Sequence, residues 1–126
     1  MIELILGDRC TGCGDCVAVC PAHVFDPGTK GVPLIARPEE CQTCFMCELH
    51  CRADAIYVGP DRDRFVKVEP EEVLNAGLLG QYRRDSGWDE WAAHPEYTSQ
   101  FWRMPDIMNG GREMTEARAA KRRGGR

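Results

Sequence analysis

Cys10-Thr11-Gly12-Cys13-Gly14-Asp15-Cys16-Val17-Ala18-Val19-Cys20-Pro21 and Cys41-Gln42-Thr43-Cys44-Phe45-Met46-Cys47-Glu48-Leu49-His50-Cys51-Arg52 together carry all eight cysteines of this 126-residue chain. Both stretches have the spacing C-x2-C-x2-C-x3-C, and a single offset of 31 lays one on the other. The match extends beyond the cysteines, since Asp8 falls on Glu39, Ala22 on Ala53 and Phe25 on Ile56. Such self-similarity indicates one supersecondary unit used twice, each too small to close a core alone. The halves must therefore pack on each other.

Around each cysteine run the pattern is apolar, then loop, then apolar. Ile2 to Leu6 and Val32 to Ala36 precede the runs, while Val24-Phe25 and Ala55-Ile56-Tyr57-Val58 follow them. These read as short strands. The four-residue step from the third to the fourth cysteine puts both thiols on one side of a helical turn. Asp26-Pro27-Gly28-Thr29-Lys30-Gly31 is dense in turn residues and predicts a hairpin connection. The fold class expected is α+β: strand, loop, short helix, strand, twice over.

A cysteine-rich region of about 60 residues buries too little apolar surface to be stable without disulfides or metal. Met1-Ile2-Glu3-Leu4-Ile5-Leu6-Gly7-Asp8 lacks the basic start and long apolar stretch of an export signal, so a cytoplasmic setting with reduced thiols is expected. No run approaches the roughly 18 to 20 apolar residues of a membrane span. Even-numbered thiols in that setting bind metal rather than pair. Structural zinc sites separate their ligand pairs by a long spacer instead of placing four thiols within eleven residues.

On these two runs residues 1 to about 60 resemble the bacterial two-cluster ferredoxins. The resemblance implies a ferredoxin-like fold, two [4Fe-4S] clusters and one-electron transfer. It also implies crossed ligation, in which the fourth cysteine of each run, on the departing helical turn, serves the other cluster. The first cluster then takes Cys10, Cys13, Cys16 and Cys51, and the second takes Cys41, Cys44, Cys47 and Cys20. A [3Fe-4S] centre would have a second cysteine missing or replaced, whereas Cys13 and Cys44 are both present. Gly12 and Gly14 let backbone N–H groups approach the first cluster, where the second loop has Thr43 and Phe45, so the two clusters are expected to differ in potential.

The runs differ after their last cysteine: Pro21 follows Cys20, but Arg52 follows Cys51. A cation there is expected either to favour the reduced first cluster or to point into solvent or meet a partner's acid. With eight cysteines for eight ligand positions, His23, His50 and His94 have no ligand role. Neither a nucleophile–base pair nor a glycine-rich phosphate loop is recognisable, so the chain reads as an electron-transfer protein rather than an enzyme.

Beyond residue 60, Phe65-Val66-Lys67-Val68 is expected to add a strand and Pro70-Glu71-Glu72 to open a helix, continued by Val73, Leu74, Gly77, Leu78 and Tyr82 and stopped by Gly87. Tyr82, Trp88, Trp91, Tyr97, Phe101 and Trp102 place six of ten aromatics within 21 residues that lack aliphatic partners. Six such rings represent on the order of 1,000 Å2, and one side of a standard protein interface buries about 800 Å2. The segment is read as an arm laid over a partner subunit. Packing back on the cysteine-bearing core is the alternative.

The formal charge of -4 is uneven, because residues 112 to 126 hold six basic against two acidic residues. The acidic remainder argues against nucleic-acid binding by the cysteine-bearing part. Three parts result: 1–69, a two-[4Fe-4S] domain; 70–111, a helix plus an aromatic extension; and 112–126, a basic flexible tail, making a C-terminal arm mostly extended or helical. Ferredoxin domains with such arms resemble the small electron-transfer subunits of flavin oxidoreductases, including the fumarate reductase and adenylylsulfate reductase kinds. That implies a non-catalytic subunit exchanging single electrons with an FAD flavoprotein contacted by Trp88, Trp91, Tyr97, Phe101 and Trp102. The alternative is a freely diffusing ferredoxin whose extension packs on its own core.

Overall fold

The structure, a computed structural model, describes residues 1–97 and 104–124. Among these residues, four short strands form two antiparallel pairs. Strand β1 (Ile2–Ile5) pairs with β4 (Ile56–Val58), and β2 (Phe25–Asp26) pairs with β3 (Leu34–Ile35). In the first pair Ile2 faces Val58 and Ile5 faces Ile56, with an irregularity between Ile2 and Leu4. The hairpin expected at Asp26–Gly31 joins β2 to β3, and Arg37 clasps it through a 2.6 Å ion pair to Asp26.

Helix α1 (Asp15–Val19) follows the first two cysteines and contains the third, and α2 (Met46–Leu49) begins between Cys44 and Cys47. Both start from a left-handed residue, Gly14 at φ 78° and Phe45 at φ 62°. Left-handed backbone also occurs at Gly12 and His23, and at Thr43 and Asp54. Glycine adopts this conformation freely, whereas an L-residue with a Cβ loses about 1 kcal/mol or more in it. The second loop bears that cost at Thr43 and Phe45, and Phe45 is almost wholly buried.

The β1–β4 pair divides the interior. Ile2, Ile56 and Val58 meet Val24, Phe25, Phe45, Cys16, Cys47 and Ile107 on one side. Tyr57 turns the other way to Val68, Val73, Leu78 and Leu79, with Leu4 and Leu6 beside them. Alternation along a strand sends neighbours to opposite faces, so each face gathers its own cluster.

The C-terminal extension covers both clusters. Helices α3 (Pro70–Asn75), α4 (Gln81–Asp85) and α5 (Met104–Gly124) supply Val73, Tyr82 and Ile107 to them. Two expectations are corrected here. Phe65–Val68 is not a strand: the Val66 N–H donates to the Glu3 carboxylate at 3.3 Å, and Arg118 donates to the Lys67 carbonyl, so side chains take the place of a strand partner. The helix opened at Pro70 is two helices, because Gly77 and Gly80, both left-handed, turn the chain between them. Residues 112–124 belong to the 21-residue helix α5, which runs through the expected boundary at 112. Arg118 anchors it to Glu69 at 3.3 Å and Glu72 at 3.6 Å. Gly87 ends α4 as expected, at φ 69°.

Gly111 permits that docking. A Cβ there would lie 2.8 Å from the Tyr57 hydroxyl and 2.9 Å from Pro60 Cδ, so the helix backbone rests directly on these two residues.

Candidate metal centre

Folding gathers the eight thiols into two sets. One cavity, about 240 Å3, is lined by Cys10, Cys13, Cys16 and Cys51, with Ile5, Pro33, Ala55 and Ile56 completing apolar walls. A second is lined by Cys20, Cys41, Cys44 and Cys47, with Ile2, Val24, Phe25, Phe45 and Val58. The second is a tighter slot of about 20 Å3. In each set three thiols come from one cysteine run and the fourth from the other. Exposure follows the same pattern: Cys13 and Cys44 are exposed, Cys16 and Cys47 buried, and the other four lie between.

Main-chain donors already face the sulfurs. The Ile2 N–H lies 3.2 Å from Cys41 Sγ and the Thr43 N–H 3.4 Å from it; the Ala55 N–H lies 3.3 Å from Cys51 Sγ and the Val24 N–H 3.5 Å from Cys20 Sγ. Hydrogen bonds of this kind favour sulfur that carries negative charge. Burial opposes that charge while no metal shares it: it pushes the Cys16 thiol up to about 11, with Cys51, Cys13 and Cys10 adding in the same direction. Cys47 and Cys51 are raised for the same leading reason. Metal binding therefore has to displace protons from these thiols.

Among the described residues no three His, Cys, Asp or Glu side chains converge closely enough to hold a single ion. Four thiols spread around an apolar cavity suit a polynuclear group with several metal corners. None of the three histidines lines either thiol cavity. His50 instead shares a hydrogen bond of 3.0 Å with the Met46 carbonyl and meets the Trp88 ring at 5.8 Å, edge on.

The 4Fe-4S dicluster domain family matches residues 3–52. Its span includes all eight cysteines. A ferredoxin of Methanothermococcus thermolithotrophicus is 41% identical over 54 residues, which is 40% of this chain and 87% of that protein. This chain belongs to the 4Fe-4S dicluster ferredoxins. An uncharacterized ferredoxin of Methanocaldococcus jannaschii is 42% identical over 39% of this chain and 77% of its own length. Ferredoxin-1 of Caulobacter vibrioides is 43% identical over 41% of this chain, which spans only 46% of that protein's length. A different kind of match reaches past the cysteines: one component of a ferredoxin/F(420)H(2)-dependent CoB-CoM heterodisulfide reductase from Methanosarcina acetivorans is 25% identical over 84% of this chain but 14% of its own length. No solved structure matches the chain.

Two [4Fe-4S] clusters are the cofactor of this dicluster ferredoxin, and one-electron transfer is the chemistry they supply. The residues fit them: two sets of four thiols, main-chain N–H groups facing sulfur, and largely apolar walls. No helix among the described residues is long and apolar enough to cross a membrane.

The aromatic segment divides. Tyr82 packs on Phe45, ring centroids 5.1 Å apart, and so shields the second thiol set. Trp91 and Tyr97 stand edge to face at 5.3 Å with His94 beside both, a small cluster of their own. Trp88 remains 44% exposed. Phe101 and Trp102 lie outside the described residues.

Sequence reasoning missed Arg83. Its side chain is 1% exposed, donates to the Leu49 carbonyl, and pairs with Asp89 at 2.9 Å and Glu90 at 2.5 Å. This holds Glu90's carboxyl below the usual carboxylate range. Only the adjacent acids Asp89-Glu90 hinted at it, and nothing local in the sequence connects them to Leu49. Glu48 was also missed: it is buried next to Cys47, faces the backbone N–H groups of Tyr82 and Val58, and burial pushes it well above the carboxylate range.

Proposed function

We propose that the chain passes single electrons through two crossed-ligated clusters, Cys10, Cys13, Cys16 and Cys51 holding one and Cys41, Cys44, Cys47 and Cys20 the other. The grouping of the thiols carries this reading, since each cavity takes its fourth thiol from the opposite run. A ferredoxin-like pseudo-repeat accounts for that exchange. The strand pairs β1–β4 and β2–β3 each join the two halves, and the left-handed residues at 12, 14 and 23 recur at 43, 45 and 54. Crossed ligation makes each cluster a staple between halves, so cluster loading and folding are coupled.

Substitution with serine tests the assignment. Cys51→Ser is expected to alter the same paramagnetic signal as Cys13→Ser, and Cys20→Ser the same signal as Cys44→Ser. Pairing of Cys51 with Cys44 instead would overturn it.

In the cell, the chain serves a larger oxidoreductase as its ferredoxin-type subunit in a reducing, cytoplasmic setting. The support is the match to the heterodisulfide reductase component, which takes in most of this chain. The finer reading, a flavoprotein met by Trp88, Trp91, Tyr97, Phe101 and Trp102, draws on the exposure of Trp88. Co-purification from the native host with a flavin spectrum in the complex would support it; a stable monomer would overturn it. A free ferredoxin is the second reading, favoured by the packing of Tyr82, Val73 and Ile107 onto the core.

A further inference from the structure

Arg52 stands where the first cysteine run has Pro21, and the structure provides it with a partner. Its guanidinium meets the Asp89 carboxylate at 2.6 Å. Arg52 is also among the residues lining the cavity of Cys10, Cys13, Cys16 and Cys51, and the open groove formed with Asp15, His50, Arg83, Trp88 and Asp89. The corresponding position at the second cavity is the uncharged Pro21.

Asp89 is held from behind. Buried Arg83 grips it at 2.9 Å and is itself fixed to Leu49, in the helix that bears Cys47, and to Glu90. Asp89 also lies at φ 53°, a left-handed conformation that costs a non-glycine residue free energy and persists only where surrounding contacts impose it. A carboxylate so fixed determines where the long, 75% exposed Arg52 side chain rests.

We propose that Asp89, locked by Arg83, is a positioning residue that draws the Arg52 charge away from the cluster held by Cys10, Cys13, Cys16 and Cys51, keeping that cluster harder to reduce. The inference rests on the quartet assignment above. Reduction adds one negative charge to the cluster, so a cation free to approach favours the reduced form, and one tethered to a carboxylate does so less. Through this contact the C-terminal extension acts on a cluster to which it supplies no ligand.

The test is a redox titration of the reconstituted full chain at low ionic strength, following each cluster's paramagnetic signal, with signals assigned by Cys13→Ser and Cys44→Ser. Asp89→Asn is expected to raise the reduction equilibrium constant of the first cluster at least threefold, about 28 mV for one electron, and to leave the second within experimental error. In an Arg52→Gln background the same substitution should do less than half as much, because Asp89 acts through Arg52. Arg52→Gln leaves the Arg83 grip intact, so it serves as an independent probe if Asp89→Asn loads poorly; it should lower the first cluster's constant. The proposal is overturned if Asp89→Asn leaves the first cluster unchanged, if both clusters shift together, or if the shift is as large without Arg52. Should Cys51→Ser and Cys13→Ser alter different signals, the quartet assignment fails, a result separate from any shift caused by Asp89.

Discussion

The rings of Phe45 and Tyr82 lie 5.1 Å apart at an interplanar angle of 51°, joining the second cysteine loop to helix α4 across 37 residues of chain. Tilted pairs at this separation contribute about 0.5–1.5 kcal/mol beyond the area they bury. Tyr82→Ala is expected to expose the slot of Cys20, Cys41, Cys44 and Cys47 and to hasten loss of cluster absorbance in air, with a smaller effect at the other site. A double-mutant cycle with Phe45→Leu should return a coupling within that range; additive effects would mean that the rings do not cooperate.

Arg83→Met removes the donor that Leu49, Asp89 and Glu90 share. Both carboxylates are well exposed and regain water, so the cost is that of a buried carbonyl left unpaired and a lost clasp, about 1–3 kcal/mol. Proteolysis is the sensitive measurement: cleavage within residues 86–97 should accelerate well before the clusters are lost.

Gly111→Ala sets two effects against each other. Alanine in a helix interior gains up to about 1 kcal/mol over glycine. The added methyl would meet Tyr57 Oη at 2.8 Å and the Pro60 ring at 2.9 Å, and neither can swing aside freely. Overpacking of this kind costs about 1–3 kcal/mol, so a net loss of stability is expected. At Gly110 the nearest contact is the flexible Leu78 Cδ2 at 3.3 Å, and Gly110→Ala should be neutral or stabilising in thermal melts.

Glu3 gives stability a pH dependence. Burial raises its pKa to about 7 from 4.5, against the lowering effect of the Val66 N–H bond. As pH rises from 4.5 the unfolded chain releases this proton first, while the folded chain keeps it until about 7. The folded state thus loses stability across that window and levels off above it. Glu3→Gln keeps an acceptor for Val66 but cannot ionise. Its melting temperature should exceed the parent's at pH 8, and the difference should shrink at pH 5.

How much of this was legible in the sequence depends on whether the determining contacts are local. The two C-x2-C-x2-C-x3-C runs, the hairpin at Asp26–Gly31, the short strands, the helix opened at Pro70 and the stop at Gly87 are all signalled by residues within a few positions of each other. The missing strand at Phe65–Val68 was not, because Glu3 and Arg118, remote in sequence, satisfy its backbone groups. The docking of helix α5 was likewise hidden, since Gly111 lies against Tyr57 and Pro60, which are remote from it in sequence.

The sequence by itself determined the chemistry. Eight thiols at that spacing select iron–sulfur clusters because ligand type and loop geometry are both properties of short segments. Only the tertiary structure decided what surrounds them: which apolar side chains line each set of thiols, that Tyr82 packs on Phe45, and that Arg52 meets Asp89. These depend on how strands and helices from distant parts of the chain pack together, and burial and ion pairing are created only when that packing brings the groups within a few ångströms.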